Sequence, residues 1–312
     1  MKYIEFINNL IKEQVTKEEN VVLYGQNINA GSCLGGLTKD LAVGKNGRII
    51  NSTNSENTLC GFGFGLMMNG ISSVFFMKQL DFLLLGIDHL VNTFNIIRNT
   101  GFKNRSSFTI FPITIDNGYQ GPQSSLNNFS DFCSIAKVSG YTITNKIDAE
   151  NIISSKLISP GFRIISVSQR LFKEEIIEPP ELLYTDNNTI FQYSEGSDVT
   201  LVCFNFSFPY GWDLYNELQK NGISVSLFNV NSPIPTKWEK IITNTKKTQK
   251  LIIIDDSKSE NIACDSLIAN VASTITLKKK VVIKRILSDD WLNPVSDKME
   301  IDNAQILNEL IN

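Results

Sequence analysis

The chain has 312 residues, of which 42% are hydrophobic and 20% charged, and its formal net charge is −3. This composition indicates a soluble globular protein rather than a disordered one, and the length suits one large domain or two ordinary ones. The weak negative charge gives no electrostatic reason to expect binding to nucleic acid or to an anionic membrane. No window approaches roughly 18 apolar residues, and the N-terminus lacks the apolar run of a secretory signal, so neither a membrane span nor a leader is expected.

The cysteines indicate a reducing compartment. They are odd in number, isolated, and without the C-x-x-C spacing of zinc or redox sites. We therefore expect buried free thiols in a cytoplasmic protein. The positions are Cys33, Cys60, Cys133, Cys203 and Cys264.

The N-terminal residues begin an α/β pattern. Residues 3–19 place Ile7, Ile11 and Val15 on one side of a helix. Residues 21–25 form a short, continuous apolar strand, which is typical of a parallel sheet covered on both faces. A helix, a strand and a further helix in succession predict an α/β layered fold.

Residues 51–70 carry the strongest local signal. They follow a strand-like apolar pair and contain one charged residue, Glu56, before a segment with three closely spaced glycines. Each glycine inside a helix costs about 0.5–1 kcal/mol relative to alanine, so close approach of a second helix or a cofactor is the expected compensation. Gly61 and Gly65, four residues apart, would supply that small face. The spacing is not that of a Rossmann phosphate loop, because Leu66 stands where the last glycine of G-x-G-x-x-G belongs.

The apolar segments that follow continue the α/β rhythm. Residues 73–77 are predicted as a buried strand, 79–98 as a long apolar helix and 108–115 as a third strand. A loop with glycines and a proline comes after that strand, at 116–125.

The second half repeats this rhythm after a break. Residues 173–192 combine a charge run, two prolines and an Asp-Asn-Asn sequence, and they are predicted to be an interdomain linker. Alternating short strands and helices on both sides of the linker predict parallel sheets. The remaining predicted strands are 139–144, 162–167, 198–204, 224–230 and 251–256, with helices from 148 and over 212–221.

The acid and glycines of residues 51–70 resemble a motif of the pyrimidine-binding domain of thiamine-diphosphate enzymes. In that family a Glu opens a helix of pattern G-x-(small)-x-G-x4-G, and a later helix has the pattern F-x-x-F-x-x-x-A-x-D-Q-(I/V)-x-N. Nearly the whole chain resembles the beta subunit of the decarboxylating component of 2-oxo-acid dehydrogenase complexes, and the C-terminal half of transketolase. The matching positions are Glu56, Gly61, Gly63, Gly65, Gly70, Phe82, Asp88 and Asn92.

The resemblance implies two α/β domains, each a mainly parallel sheet covered by helices. A pyrimidine-binding domain would span 1–185 and a transketolase C-terminal-like domain 186–312. It also implies that Glu56 is catalytic and cofactor-binding, sharing a proton with the pyrimidine ring of thiamine diphosphate, while Phe82 stacks on that ring. The alternatives are that Glu56 only stabilises the positive end of its helix, and that Phe82 is ordinary core.

The resemblance further implies a partner chain. The family holds the diphosphate and its divalent metal with a G-D-G motif, which this sequence lacks. We therefore expect an alpha-type subunit that binds the diphosphate and Mg²⁺, an active site between the subunits, and a two-plus-two heterotetramer. No metal ligand is predicted in this chain.

One departure from the family concerns the residue that handles protons on the substrate. The family histidine falls on Ser124, or on Gln123 if the loop shifts by one residue, and neither can act as a general base near pH 7. His89, the only histidine, stands where the family usually has Gln. It is a candidate for contact with substrate, although a packed or interface role fits its place in an apolar helix better.

Three functions remain open from the sequence. The first is a subunit that cleaves or forms a carbon–carbon bond next to a ketone, as in 2-oxo-acid decarboxylation with acyl transfer. The second is a transketolase-like carboligase that acts on a sugar or sugar nucleotide. The third is a catalytically degenerate subunit that only scaffolds its partner.

Overall fold

The structure is a computed structural model that describes residues 1–101, 103, 105–116, 127–234, 237–259, 261–284, 299 and 301–311. These residues form two six-stranded sheets with helices on their faces. The predicted fold class, two mainly parallel α/β domains, is confirmed.

The first sheet belongs to the N-terminal half and is parallel throughout. Its strands are β1 (Val21–Gly25), β2 (Arg48–Asn51), β3 (Ser72–Met77), β4 (Ser107–Thr114), β5 (Gly140–Ile143) and β6 (Gly161–Ser168). They lie in the order β2-β1-β3-β4-β6-β5. Every residue of β1 and β4 is buried, because helices cover both faces of the sheet.

Five α-helices accompany this sheet in the part of the chain that the structure describes. They are α1 (Tyr3–Lys17), α2 (Glu56–Met68), α3 (Phe94–Asn99), α4 (Phe129–Ala136) and α5 (Lys146–Lys156). The predicted N-terminal helix is confirmed, since Ile7, Ile11 and Val15 of α1 are fully buried.

The predicted long helix over 79–98 is wrong. A 3₁₀ helix spans Leu80–Gly86, a π-helical turn spans His89–Thr93, and α3 follows, with a 67° bend between the first segment and the rest. The buried apolar positions of the first segment, Leu80, Leu83 and Gly86, recur every third residue, as the tighter winding of a 3₁₀ helix requires. No single described helix is long and apolar enough to span a membrane, and this segment with His89–Asn99 reaches that length and hydropathy only across the bend.

The second sheet contains both parallel and antiparallel strands. Its strands are β7 (Tyr184–Thr185), β8 (Ile190–Gln192), β9 (Val199–Phe204), β10 (Val225–Val230), β11 (Lys250–Asp255) and β12 (Lys279–Lys284), in the order β12-β11-β9-β10-β8-β7. The first four in that order are parallel, whereas β8 runs antiparallel to β10 and to β7. The predicted linker over 173–192 is therefore too long, because its last residues form this antiparallel edge. These residues join the sheet through backbone hydrogen bonds, and such pairing cannot be recognised from the amino-acid composition of the segment.

Four helices pack with this sheet in the described chain. They are α6 (Phe208–Lys220), α7 (Glu239–Thr248), α8 (Asp265–Thr274) and α9 (Asn303–Ile311). Helix α6 begins four residues before the predicted start at 212 and has a proline in its first turn. Proline is tolerated there because the N–H groups of the first turn have no partner within the helix.

The hydrophobic core joins the two halves of the chain. The largest cluster combines α1, α5 and one face of the first sheet with Val199, Leu201 and Leu214 of the second half. A separate cluster lies on the opposite face of the first sheet, beneath α2, and a third lies beneath α7 and α8. All five cysteines are free thiols, and four are buried.

A buried polar network also joins the halves, with Asp148 at its centre. Its carboxylate accepts a hydrogen bond from Thr144 Oγ1 at 2.7 Å and from the backbone N–H groups of Thr144 and Asn145 at 3.1 Å. From the second half, Asn231 Nδ2 donates to it at 2.8 Å and Asn229 Nδ2 at 3.2 Å. Burial raises the pKa of Asp148 to about 6, against the opposite effect of these hydrogen bonds.

The raised pKa of Asp148 predicts that it makes the folded state less stable as pH rises. Between about pH 4 and 6 the folded protein holds a proton that the unfolded chain has already lost, so stability falls across that window by about 3 kcal/mol and then levels off. Denaturant unfolding of the wild type and Asp148→Asn at pH 4 to 7 measures this. Because Asn does not ionise, the wild type should lose about 3 kcal/mol relative to Asp148→Asn between about pH 4 and 6. A free-energy difference between the two proteins that stays constant with pH would contradict the prediction.

Candidate active site

The candidate site lies at the carboxyl edge of the first sheet. Because the sheet is parallel, β1, β2, β3 and β4 all end at this edge, and ligands of open α/β sheets bind there. Helix α2 begins five residues after β2 ends, and the Leu80–Gly86 segment begins three residues after β3 ends. The two segments that carry the predicted site residues therefore start from the same edge.

Glu56 is the first residue of α2 and is half-buried. Ser55 precedes the helix as its N-cap, and its hydroxyl donates to Thr58 Oγ1 at 2.8 Å rather than capping the helix. The start of a helix has free N–H groups and a partial positive charge, so a carboxylate is favoured there. The residue therefore combines stabilisation by the helix with partial access to a ligand.

Glycines of α2 and of the neighbouring segment allow α2 to pack unusually closely against the elements around it. A Cβ at Gly86 would lie 2.5 Å from Cys60 Sγ and 3.5 Å from the Glu56 carbonyl oxygen. A Cβ at Gly63 would lie 2.2 Å from Phe108 and 2.4 Å from Tyr24 Oη. Close approach to the glycines is thus present. At Gly86 it brings the Leu80–Gly86 segment into contact with the first turns of α2.

Of the two glycines of the predicted small face, Gly61 is covered by another residue of the chain and Gly65 is not. The ring of His89 lies over Gly61, where a Cβ would be 2.9 Å from its Nε2, whereas Gly65 has no atom of the described chain within that reach. Gly65 is exposed together with Phe62 and Met68 of the same helix.

The thiol nearest to Glu56 along α2 is not a competing reactive group. Cys60 is fully buried, and burial raises its pKa to about 12, with the Glu56 carboxylate adding to the shift. The thiol therefore stays protonated at neutral pH, so it acts as an apolar packing group.

Phe82 lies in the Leu80–Gly86 segment and is half-buried against the cluster beneath α2. Its neighbours Leu84 and Leu85 are 58% and 62% exposed. The segment thus presents a partly accessible ring flanked by open leucines, beside the helix that begins with Glu56.

His89 is held rather than free. Its Nδ1 is 2.9 Å from Thr93 Oγ1, and its other ring nitrogen lies over Gly61. The π-helical turn that contains both His89 and Thr93 widens the helix at this point, and such turns are frequent at functional sites. The residue packs beside the Glu56 helix, and a role for it toward substrate stays a prediction.

Gln123 and Ser124, the other two substrate-loop candidates, lie outside the described residues. Among the residues that are described, no group of three His, Cys, Asp or Glu side chains could hold a metal ion. Sequence reasoning did not identify the ion pairs of Arg170 with Asp116 and Asp256, which lie near the carboxyl ends of β6, β4 and β11.

The two sheets and their helices define a two-domain α/β protein of the transketolase type. Residues 190–308 match the family described as "Transketolase, C-terminal domain". The chain is 20% identical to pyruvate dehydrogenase E1 component subunit beta of Staphylococcus aureus strain N315, over 94% of this chain and 91% of that protein. The same subunit of Staphylococcus epidermidis ATCC 12228 matches with equal identity and coverage.

The fold is also similar to that of a solved structure. A solved structure titled "Split gene transketolase, inactive beta4 tetramer" superposes with a TM-score of 0.71 and 14% identity, over 98% of this chain and 96% of that one. The fold is therefore that of the transketolase-like proteins, and nearly the whole chain is similar in sequence to pyruvate dehydrogenase E1 beta subunits.

Proposed function

We propose that this chain is the beta-type, pyrimidine-binding subunit of a split thiamine-diphosphate-dependent enzyme. The observation that carries the proposal is the position of Glu56: a half-buried acid that opens a glycine-rich helix at the carboxyl edge of a parallel sheet, with Phe82 on the adjacent segment. The reaction would cleave or form a carbon–carbon bond next to a ketone, as in 2-oxo-acid decarboxylation with acyl transfer.

The residues present suit the pyrimidine half of the cofactor. A carboxyl group and a flat apolar ring are the groups that an aminopyrimidine requires, one for a hydrogen bond to a ring nitrogen and one for stacking. When bound, thiamine diphosphate supplies the carbanion chemistry of the reaction. Glu56 would hold or share a proton at the ring nitrogen, and Phe82 would orient the ring and exclude water from one of its faces.

The proposed partner covers the outer face of α2. This helix is apolar on nearly all sides, and such helices are normally buried, yet Phe62 and Met68 are 42% and 49% exposed and Gly65 is open. Leu84 and Leu85, on the Leu80–Gly86 segment that packs against α2, are also exposed. An alpha-type chain that packs here would bring its diphosphate and Mg²⁺ site to Glu56, in a two-plus-two heterotetramer that we place in the cytoplasm.

The proposal predicts that cofactor binding requires both chains. Calorimetric titration of thiamine diphosphate with Mg²⁺ should show affinity at least roughly 100-fold weaker for the isolated chain than for the assembled pair, because the diphosphate contacts are missing. Full affinity in the isolated chain would refute the split site. Comparing the turnover of 2-oxo acids with that of ketose phosphates by the same assembled pair then distinguishes the dehydrogenase-type reaction from the carboligase reaction.

A further inference from the structure

Arg170 forms a buried ion cluster at the junction of the two sheets. Its Nη2 lies 3.0 Å from Asp256 Oδ2 and 3.8 Å from Asp116 Oδ2. The same nitrogen donates to the Phe206 carbonyl oxygen at 2.9 Å, and Nη1 donates to Tyr210 Oη at 3.2 Å. Both acids are almost fully buried, at 1% exposure for Asp116 and 0% for Asp256. Burial opposes the charge of Arg170, but the two carboxylates outweigh it and raise its pKa above the ordinary value.

Each member of the cluster is fixed by its own element. Asp116 follows β4 and accepts hydrogen bonds from Ser168 Oγ at 2.6 Å and from the Arg170 N–H at 3.0 Å. Asp256 follows β11 and accepts from the Phe206 N–H at 3.0 Å. The guanidinium therefore ties the carboxyl end of a strand in the first sheet to the carboxyl end of a strand in the second.

A second set of contacts secures Asn127, which is fully buried at the same junction. Its Nδ2 donates to the Asp256 carbonyl oxygen at 3.2 Å, its Oδ1 accepts from Asn205 Nδ2 at 2.7 Å, and its carbonyl oxygen accepts from the Lys258 N–H at 3.1 Å. Asp116 and Asn127 are the described residues on either side of the sequence that contains Gln123 and Ser124. Asn127 is thus held directly by the residues that follow β11, and Asp116 is linked to them through Arg170.

We propose that Arg170 is a positioning residue for the candidate active site. Through Asp116 and Asp256 it fixes the edge of the first sheet, where Glu56 lies, relative to the second domain. The second domain then takes part in catalysis by setting active-site geometry, in addition to any role in subunit contacts. This inference rests on the proposed function.

The test compares three variants in the complex assembled with the partner chain. Arg170→Met removes the link and leaves two buried acids without their cation, whereas Arg170→Lys keeps a charge but loses the planar fork. The triple variant D116N/R170M/D256N removes all three charges of the cluster together. Lys146→Met, which breaks the exposed Lys146–Glu178 pair, is the control.

For Arg170→Met and for the triple variant, kcat should fall about tenfold or more while assembly and the Kd for thiamine diphosphate change less than about twofold. Arg170→Lys should recover part of kcat, and the control should match the wild type. A purely structural cluster would let the triple variant turn over like the wild type, and that result overturns the proposal.

Hydrogen exchange provides a readout that does not need activity. Backbone amides of Asp116 and Asn127 should exchange about tenfold faster in Arg170→Met or in the triple variant than in the control. Unchanged exchange in a folded variant also overturns the proposal. If the wild-type complex shows no turnover, the proposed function fails, while the exchange experiment still decides whether Arg170 fixes this junction.

Discussion

Glu56→Gln is expected to lower turnover of the assembled complex by roughly 10²–10⁴-fold, the range that a positioned acid or base contributes. Gln has nearly the same shape and can still form a hydrogen bond, but it cannot share a proton with a ring nitrogen. Because Glu56 begins α2 and is half-buried, the substitution should leave the helix and its packing intact. Steady-state kinetics with saturating thiamine diphosphate and Mg²⁺ measure the loss.

A matched control separates catalysis from helix stabilisation. Glu239 is also the first residue of a helix, α7, and it is exposed on the second domain, away from the candidate site. Glu239→Gln removes the same interaction with a helix N-terminus, which is worth only about 0.3–1 kcal/mol, and should leave turnover unchanged. If Glu56→Gln also leaves turnover unchanged in an intact complex, the chain is a scaffold for its partner.

The fold could be predicted to the extent that local periodicity determines it. The strand β1 is a continuous apolar run, β3 contains the apolar run Val-Phe-Phe-Met, and β4 is rich in β-branched and aromatic residues. Helix α1 shows a clear apolar face, so the positions of these elements follow from the sequence. The segment over 79–98 is rich in apolar residues, and its sequence has no feature that identifies the bend. Its break depends on packing against α2 at Gly86, a contact between segments that the sequence does not reveal.

The candidate site likewise has one part that local sequence motifs predict and another part that they do not. Glu56 and Phe82 could be chosen as candidates because the motif around each is local, and their segments start from one sheet edge, while their role stays a prediction. The Asp148 network and the Arg170 cluster were missed, since Asp148 meets Asn231 83 residues away and Arg170 meets Asp256 86 residues away. Contacts between residues so distant in sequence form only when both domains are folded, so they cannot be read from local sequence patterns.

Gly63→Ala is expected to lower the free energy of unfolding by about 2–3 kcal/mol. The added Cβ would lie 2.2 Å from Phe108 and 2.4 Å from Tyr24 Oη, and both rings are fully buried in the close-packed cluster beneath α2. Neither ring has space to withdraw, so α2 must shift away from β1 and β4. The gain in helix propensity, about 0.5–1 kcal/mol, offsets only part of this cost. Denaturant unfolding of the isolated chain measures the change.

Gly65→Ala, two residues further along α2, is the matched control and has the opposite expected sign in the isolated chain. No atom lies within 4 Å of the position that its Cβ would occupy, and the residue is exposed, so helix propensity alone should stabilise the chain by about 0.5–1 kcal/mol. In the assembled complex the same methyl group would enter the face that we assign to the partner, and affinity for the partner should fall. If the stabilised chain assembles as well as the wild type, the partner binds another surface, because a methyl group at position 65 would obstruct a partner packed closely on this face of α2.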